Sequence, residues 1–408
     1  VSDRKSASKF QITAQLCAVE ILGMAGFATF PALLPVFVSE WSLTNTEAGW
    51  VSGIFFAGYL LSVPFLTGLT DRLDPRRILF LGTALSGLAA LGFGLVVQGF
   101  WSALLWRFLA GIGLAGTFMP GLKLLSDHTE GRFQSRYIAF YTSSFSIGAS
   151  ISFFMSGEVN TLAGWRWSFG LASVGSLAAA VLIAAKVPAG LPHPANTGAS
   201  NVVDFRPVLK ARPAMGYIVA YTAHVWELFS MRAWIVAFLA FSQSLHPGSV
   251  SPFWSVTRIA AIVNLLGLPS SLGGNELAVR FGRRRVIVVI MLLSAGVSAV
   301  IGFAAPYPAP LVIGLCMFYG ITVMADSASL TAGAVAAAPT GLRGATLAVH
   351  STLGFTAAFL GPLAVGAVLD IMGGTTRAWG FAFITMGLGG VAGPVALAVL
   401  GKRRRRGF

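Results

Sequence analysis

Long apolar stretches, each about 18 residues or more, recur along the whole chain with short polar gaps between them. A helix needs about 20 mostly apolar residues to cross a hydrocarbon layer roughly 30 Å thick. Twelve stretches qualify, near 12–37, 48–69, 78–97, 103–125, 138–156, 166–185, 214–240, 254–278, 286–304, 311–334, 345–368 and 379–400. Barrel strands are shorter and alternate, whereas these runs are continuous, so the pattern predicts helices. The expected fold class is an all-α polytopic membrane protein.

The gap at 186–213 contains PAGLPHPANTGAS, and its proline, glycine, asparagine and serine mark it as a linker. It divides the chain into two pseudo-symmetric six-helix halves, 1–185 and 214–408. Internal duplication of this kind is a route to alternating access, with a binding site between the halves. The first stretch is too long for a signal-peptide core and lacks a cleavage-like exit, so it is expected to be a retained span.

Composition agrees with this reading. Of 408 residues 55% are hydrophobic and 10% charged, and a mean hydropathy of +0.77 is more apolar surface than a soluble core of this size can hide. Membrane helices use small residues for close packing and tolerate kinks, which accommodates the 48 glycines and 19 prolines. Cys17 and Cys316 both fall inside predicted spans, which suggests neither a disulfide framework nor a cysteine metal site.

The net charge of +14 would suit nucleic acid, but its distribution points elsewhere. Of 28 lysines and arginines, 22 fall in alternate gaps or at the termini. They are Arg4, Lys5 and Lys9; Arg72, Arg76 and Arg77; Arg132 and Arg136; Lys186, Arg206, Lys210 and Arg212; Arg280, Arg283, Arg284 and Arg285; Arg343; and Lys402 to Arg406. The opposite gaps hold almost none. This positive-inside pattern predicts both termini in the cytoplasm and an even number of spans in a bacterial-type inner membrane. The tail KRRRRGF then reads as an anchor at anionic lipid, and no nucleic-acid partner is expected.

Three motifs sharpen the reading. GLTDRLDPRR at 68–77 resembles the cytoplasmic signature between the second and third helices of the major facilitator superfamily, and Asp71, Arg72, Arg76 and Arg77 match its charged positions. Asp74 stands where a glycine is usual, and Thr67 where the leading glycine often lies. AVRFGRRR at 278–285 resembles a weaker repeat, with Arg280, Gly282, Arg283 and Arg284 matching and Val279 in place of the acid. WRFLAGIGLAG at 106–116 is similar to the family's fourth-helix pattern, with Arg107 as its arginine. The fifth helix, YTSSFSIGASISFFMSG, lacks the Gly-Pro element common in drug/proton antiporters, which weighs against drug efflux.

Asp71, at a helix end, can pair with a basic group or a neighbouring helix N-terminus and hold the cytoplasmic ends together in one state. With Arg72, Arg76, Arg77, Arg280, Arg283 and Arg284 it makes up the expected gating set, the alternative being charges that only anchor.

Ionisable side chains at membrane depth are costly, so each marks a candidate pathway position. Glu20 lies in helix 1, Arg107 in helix 4, His224, Glu227 and Arg232 in helix 7, and Asp326 in helix 10, with His350 near the cytoplasmic end of helix 11. The resemblance makes helices 1, 4, 7 and 10 the central ones. His224 and Glu227, three apart, share a face. Arg232 is about 140° round from Glu227 and need not touch it.

A low-dielectric cavity favours a neutral carboxyl group and a nearby arginine favours a charged one, so a carrier can take up and release a proton by changing that partner. Glu227 and Asp326 lead as coupling candidates, followed by Glu20, with His224 and His350 placed to relay or sense protons. Permanent ion pairs and polar helix contacts are the structural alternative. Arg107 and Arg232 can hold an oxyanion in bidentate geometry, but the carboxylates nearby leave a zwitterion, a metal complex or a small polar organic molecule open.

The sequence has neither an HExxH arrangement nor a P-loop lysine, so no enzyme activity, cofactor or resident metal is expected. The expectation is secondary active transport of a small polar or charged organic solute by alternating access, coupled to protons. The expected partners are that solute, protons and membrane lipids, and the chain is expected to act as a monomer. Efflux of drugs or toxic metabolites is one alternative. A membrane sensor or assembly protein that no longer transports is the other, and the lack of a sizeable extramembrane segment weighs against it.

Overall fold

A computed structural model describes residues 8–70, 72–129, 131, 133–190, 205–247 and 251–401. Arg4, Lys5, Asp71, Arg132, the linker core at 191–204 and the basic tail lie outside the described residues.

The described chain is helical: α1 (Lys9–Gly23), α2 (Thr29–Ala32), α3 (Leu34–Glu40), α4 (Asn45–Leu69), α5 (Pro75–Val96), α6 (Phe100–Ala115), α7 (Phe118–His128), α8 (Gln134–Ala163) and α9 (Trp165–Lys186). It continues through α10 (Arg206–Lys210), α11 (Arg212–Ser244), α12 (Val256–Phe281), α13 (Arg283–Ile301), α14 (Ala309–Met324), α15 (Ser327–Ala336), α16 (Arg343–Ile371) and α17 (Thr376–Leu400). Among the described residues, 11 segments are long and apolar enough to span a membrane, with α6–α7 and α14–α15 each counting as one. The twelfth span of this polytopic all-α fold is the first apolar stretch, which is interrupted by a 3-10 turn at Met24–Gly26 and divided into α1, α2 and α3.

Local chemistry sets the helix ends. Asp74, the departure from the resembled signature, is the N-cap of α5: its Oδ1 accepts the Arg76 N–H at 2.9 Å, and Pro75 occupies the first turn. Ser255 and Thr375 cap α12 and α17 in the same way. α8 runs past its expected end near 156 to Ala163, because Glu158, Asn160 and Thr161 continue the helix until Gly164 turns the backbone to φ 88°.

The chain packs as two compact units, one comprising Val1–Leu33 and Ala57–Gly198, the other Leu34–Phe56 and Ala199–Phe408. In the first, α1 packs on α8 and α9, and α5 on α6 and α9, around Leu16, Val19, Leu79, Leu124, Leu125, Tyr141 and Ile183. In the second, α11 is the central helix, packed by α14, α15, α16 and α17. Every residue from Glu227 to Val236 is buried, so this helix has no outward face. Phe65, Trp101, Leu162 and Ile371 point outward, as lipid-facing side chains do.

Candidate functional site

Three of the four helices that carry deep charges are broken. In the first span the backbone freed between α1 and α2 is satisfied by α8: Ser152 donates to the Ala25 carbonyl at 2.7 Å and accepts the Ala28 N–H at 3.0 Å. One hydroxyl thus serves both sides of the break. α6 and α7 part at Gly116–Thr117, where Gly82 of α5 comes so close that a Cβ on it would stand 2.6 Å from the Gly116 Cα. α14 and α15 part at Ala325–Asp326, against Gly274 of α12. Broken helices at membrane depth require polar partners for their freed backbone groups and are where carriers bind cargo and ions.

In the first unit Glu20 and Arg107 are both buried. The Tyr141 hydroxyl lies 3.2 Å from Glu20 Oε2 and 3.0 Å from the Phe118 carbonyl oxygen, and its single proton can serve only one of them at a time. Gly121 makes room for that hydroxyl. The Arg107 guanidinium sits over the Phe30 ring, 5.6 Å from its centroid.

The second unit gathers more of the predicted residues. His224 Nδ1 stands 2.8 Å from Asp326 Oδ1, with both side chains almost fully enclosed; the approach is short but off the line of a well-formed hydrogen bond. Because Asp326 lies at the break between α14 and α15, this contact ties the joint to α11. One turn along α11, Glu227 Oε1 accepts the Ser294 hydroxyl of α13 at 2.8 Å, and Tyr319 lies beside the same carboxylate. His350 of α16 stacks on Tyr221 with ring centroids 3.6 Å apart, and Tyr221 stacks in turn on His224 at 5.8 Å. His350, Tyr221, His224, Asp326 and Glu227 therefore form one buried group drawn from α11, α16 and the joint before α15.

Arg232 turns to α12 instead. Its Nε donates to Asn264 Oδ1 of that helix at 2.8 Å, and its guanidinium lies over Phe229. Among the described residues, no group of three or more histidine, cysteine or acidic side chains is arranged to hold a metal ion.

The predicted gating arginines have separate surroundings. Arg76 donates to the Ala184 carbonyl at 2.6 Å and to Ile183 at 3.3 Å, filling the open carbonyls at the end of α9. The Asp74 carboxylate also accepts the Gly190 N–H at 2.8 Å, fastening the start of the linker to the start of α5. Arg280 pairs with Glu276 one turn back, at 2.8 Å on an exposed face. Arg72 is exposed, and Arg283 and Arg284 lie in the first turn of α13.

Sequence reasoning missed Ser294, Tyr319, Tyr141 and Ser152. Hydroxyls are common in apolar helices, and only their contacts distinguish these from the rest. The pairing of Tyr141 with Glu20 spans 121 residues.

A profile of the Major Facilitator Superfamily matches residues 16–362. The chain is 26% identical over 306 residues to an uncharacterised MFS-type transporter of Enterobacter sp. (strain 638), covering 74% of this chain and 76% of the relative. It is 27% identical over 166 residues to the niacin transporter NiaP of Acinetobacter baylyi, covering 41% of this chain and 37% of NiaP. Among solved structures, a point mutant of the nucleoside transporter NupG superposes with a TM-score of 0.75 at 15% identity, covering 96% of this chain and 100% of NupG.

Proposed function

We propose, since the chain belongs to the Major Facilitator Superfamily, that it is a secondary active transporter moving a small polar or charged organic solute by alternating access, with protons as the coupling ion. One observation carries the coupling: a buried aspartate, glutamate and two histidines share one group at the joint of a broken helix. Protonating or deprotonating any member changes the charge of an enclosed cluster, and the joint beside Asp326 is where the backbone can respond. Glu20 and Tyr141 offer a second protonation position at the break of the first span, and Arg107 a fixed positive charge for an anionic part of the solute. NiaP and NupG, with niacin and nucleosides as their named cargo, support the small organic class.

The halves run from 1 to 185 and from 214 to 408, joined by a cytoplasmic linker at 186–213. The basic gaps face the cytoplasm, with both termini, in the inner membrane, and the chain works as a monomer surrounded by lipid.

Proteoliposomes under an imposed pH gradient, screened with anionic, cationic and zwitterionic metabolites, test the reading. Solute accumulation is expected to follow the gradient and to collapse with a protonophore. Asp326→Asn and Glu227→Gln are expected to keep solute exchange and lose accumulation. Accumulation that ignores the pH gradient refutes proton coupling, and lost binding in these variants reassigns the two carboxylates to the solute.

A further inference from the structure

The carboxylate of Asp370, at the C-terminal end of α16, is spent entirely on the first two residues of another helix. Its Oδ1 accepts the Asn45 N–H at 2.9 Å and the Asn45 Nδ2 at 2.8 Å. Its Oδ2 accepts the Thr46 N–H at 2.7 Å and the Thr46 hydroxyl at 2.6 Å. Asn45 and Thr46 begin α4, where backbone N–H groups have no partner within the helix and the helix dipole favours an anion. Four hydrogen bonds to one anion are far more than a solvated helix end requires.

Below this cap, α4 and α16 run antiparallel in backbone contact. A Cβ on Gly366 would stand 2.8 Å from the Asn45 carbonyl carbon, and one on Gly49 would stand 2.8 Å from the Leu363 Cα. One on Gly53 would meet the Phe359 backbone. The seam ends in aromatic rings, with Phe56 packed on Phe229 at 4.5 Å and on Phe355 at 6.3 Å. Three glycines placed this way let the helices close on one another with nothing between them.

The spacing around Asp370 is informative. The signature resembled at 67–74 has an acid four residues after a glycine position and three before another, and here Thr67 and Asp74 occupy those glycine positions. Gly366, Asp370 and Gly373 meet the same spacing in full. Gly373 and Gly374 have φ of 77° and 67°, the left-handed turn that ends α16 directly after the acid. Asp71 follows the C-terminal end of α4 just as Asp370 closes α16. The gaps at 41–44 and 372–375 contain no lysine or arginine, which under the positive-inside pattern makes the Asp370 side external.

We propose that Asp370 is a latch that holds the outer end of α4 to α16, and that the protein opens outward only when this carboxylate releases Asn45 and Thr46. Its cytoplasmic counterpart is the gating role that the sequence motif leads one to expect of Asp71. The inference rests on the alternating-access reading for its purpose, but its test needs no substrate.

In a Cys17→Ser/Cys316→Ala background, Phe56→Cys places a single thiol at the inner end of the seam. Labelling by a membrane-impermeant maleimide applied to the outside of intact cells reports outward opening. Asp370→Asn, which keeps the shape and removes the charge, is expected to raise the labelling rate at least ~5-fold, and Asp71→Asn to lower it. An unchanged rate in folded D370N protein overturns the latch. If D370N does not accumulate, Thr46→Val removes one of the four bonds, and an unchanged rate there is equally fatal. A Thr46→Cys/Asp370→Cys disulfide supplies the converse: in a preparation with demonstrated transport, crosslinking is expected to stop uptake and reduction to restore it. Full uptake while crosslinked refutes the latch and leaves the transport reading intact, whereas labelling that responds to D370N in a protein that moves no solute does the reverse.

Discussion

Gly274→Ala is the sharpest probe of the joint in the second unit. The added methyl would stand 2.7 Å from the Ala325 carbonyl carbon and 3.1 Å from its Cα. The Ala325 carbonyl oxygen is closer still, and carbon atoms pack at about 3.5–4.0 Å, so α12 and the joint must separate by at least ~1.5 Å. Overpacking of this kind costs about 1–3 kcal/mol, and replacing glycine by alanine in a helix returns about 1 kcal/mol. The net loss of up to ~2 kcal/mol leaves a folded protein. The displacement falls on the residue before Asp326, whose Oδ1 is 2.8 Å from His224 Nδ1, and a shift of that size breaks this close approach of the two side chains. A misplacement of about 1 Å in a working site costs on the order of 100-fold, so gradient-driven uptake is expected to fall at least ~10-fold, with a change of only a few degrees in the thermal midpoint. Gly273 is the internal control: a Cβ there meets nothing within 4 Å, so Gly273→Ala should be neutral or slightly stabilising. Initial uptake rates and thermal unfolding of the two variants decide the matter. Wild-type transport by G274A, or equal losses in both, would show that the joint does not matter to the cycle.

Two further outcomes follow from the hydrogen bonds. Ser152→Ala strands the Ala28 N–H and leaves the Ala25 carbonyl with only the Thr29 hydroxyl at 3.3 Å, at a cost of about 1–3 kcal/mol, and a thermal midpoint equal to wild type would contradict the role given to that hydroxyl. Asp74→Ala removes the α5 cap, worth about 1 kcal/mol, together with the bond to Gly190. Trypsin should then cut after the exposed Lys186 several-fold faster; an unaltered cleavage rate would mean that the linker is held by other contacts.

The spans were legible because an apolar run of sufficient length has few other uses, and the deep charges because they interrupt such runs. The breaks were not. Residues 103–125 and 311–334 read as continuous stretches, because one polar residue at each joint, Thr117 or Asp326, does not interrupt an apolar run and a break is a backbone event that hydropathy does not register. Arg76 shows a second limit. Its guanidinium also caps α9, an interaction set by carbonyls 107 and 108 residues away that its motif does not announce. Asp370, just past the apolar stretch at 345–368, looks from sequence like any solvated helix end. Its partners are 324 and 325 residues distant, and only the fold brings them together.

The mended break in the first span also bears on how the chain is made. The hydroxyl that satisfies Ala28 belongs to a residue 124 positions later, so the opening segment leaves the ribosome long before its partner exists. Until α8 is synthesised and inserted, the backbone at 25–28 must remain hydrated or take up an unbroken helix, since stranded backbone groups in lipid are too costly to persist. The bond that mends the break therefore forms only on arrival of the fifth span, so the first span reaches its final backbone later than its place in the chain suggests.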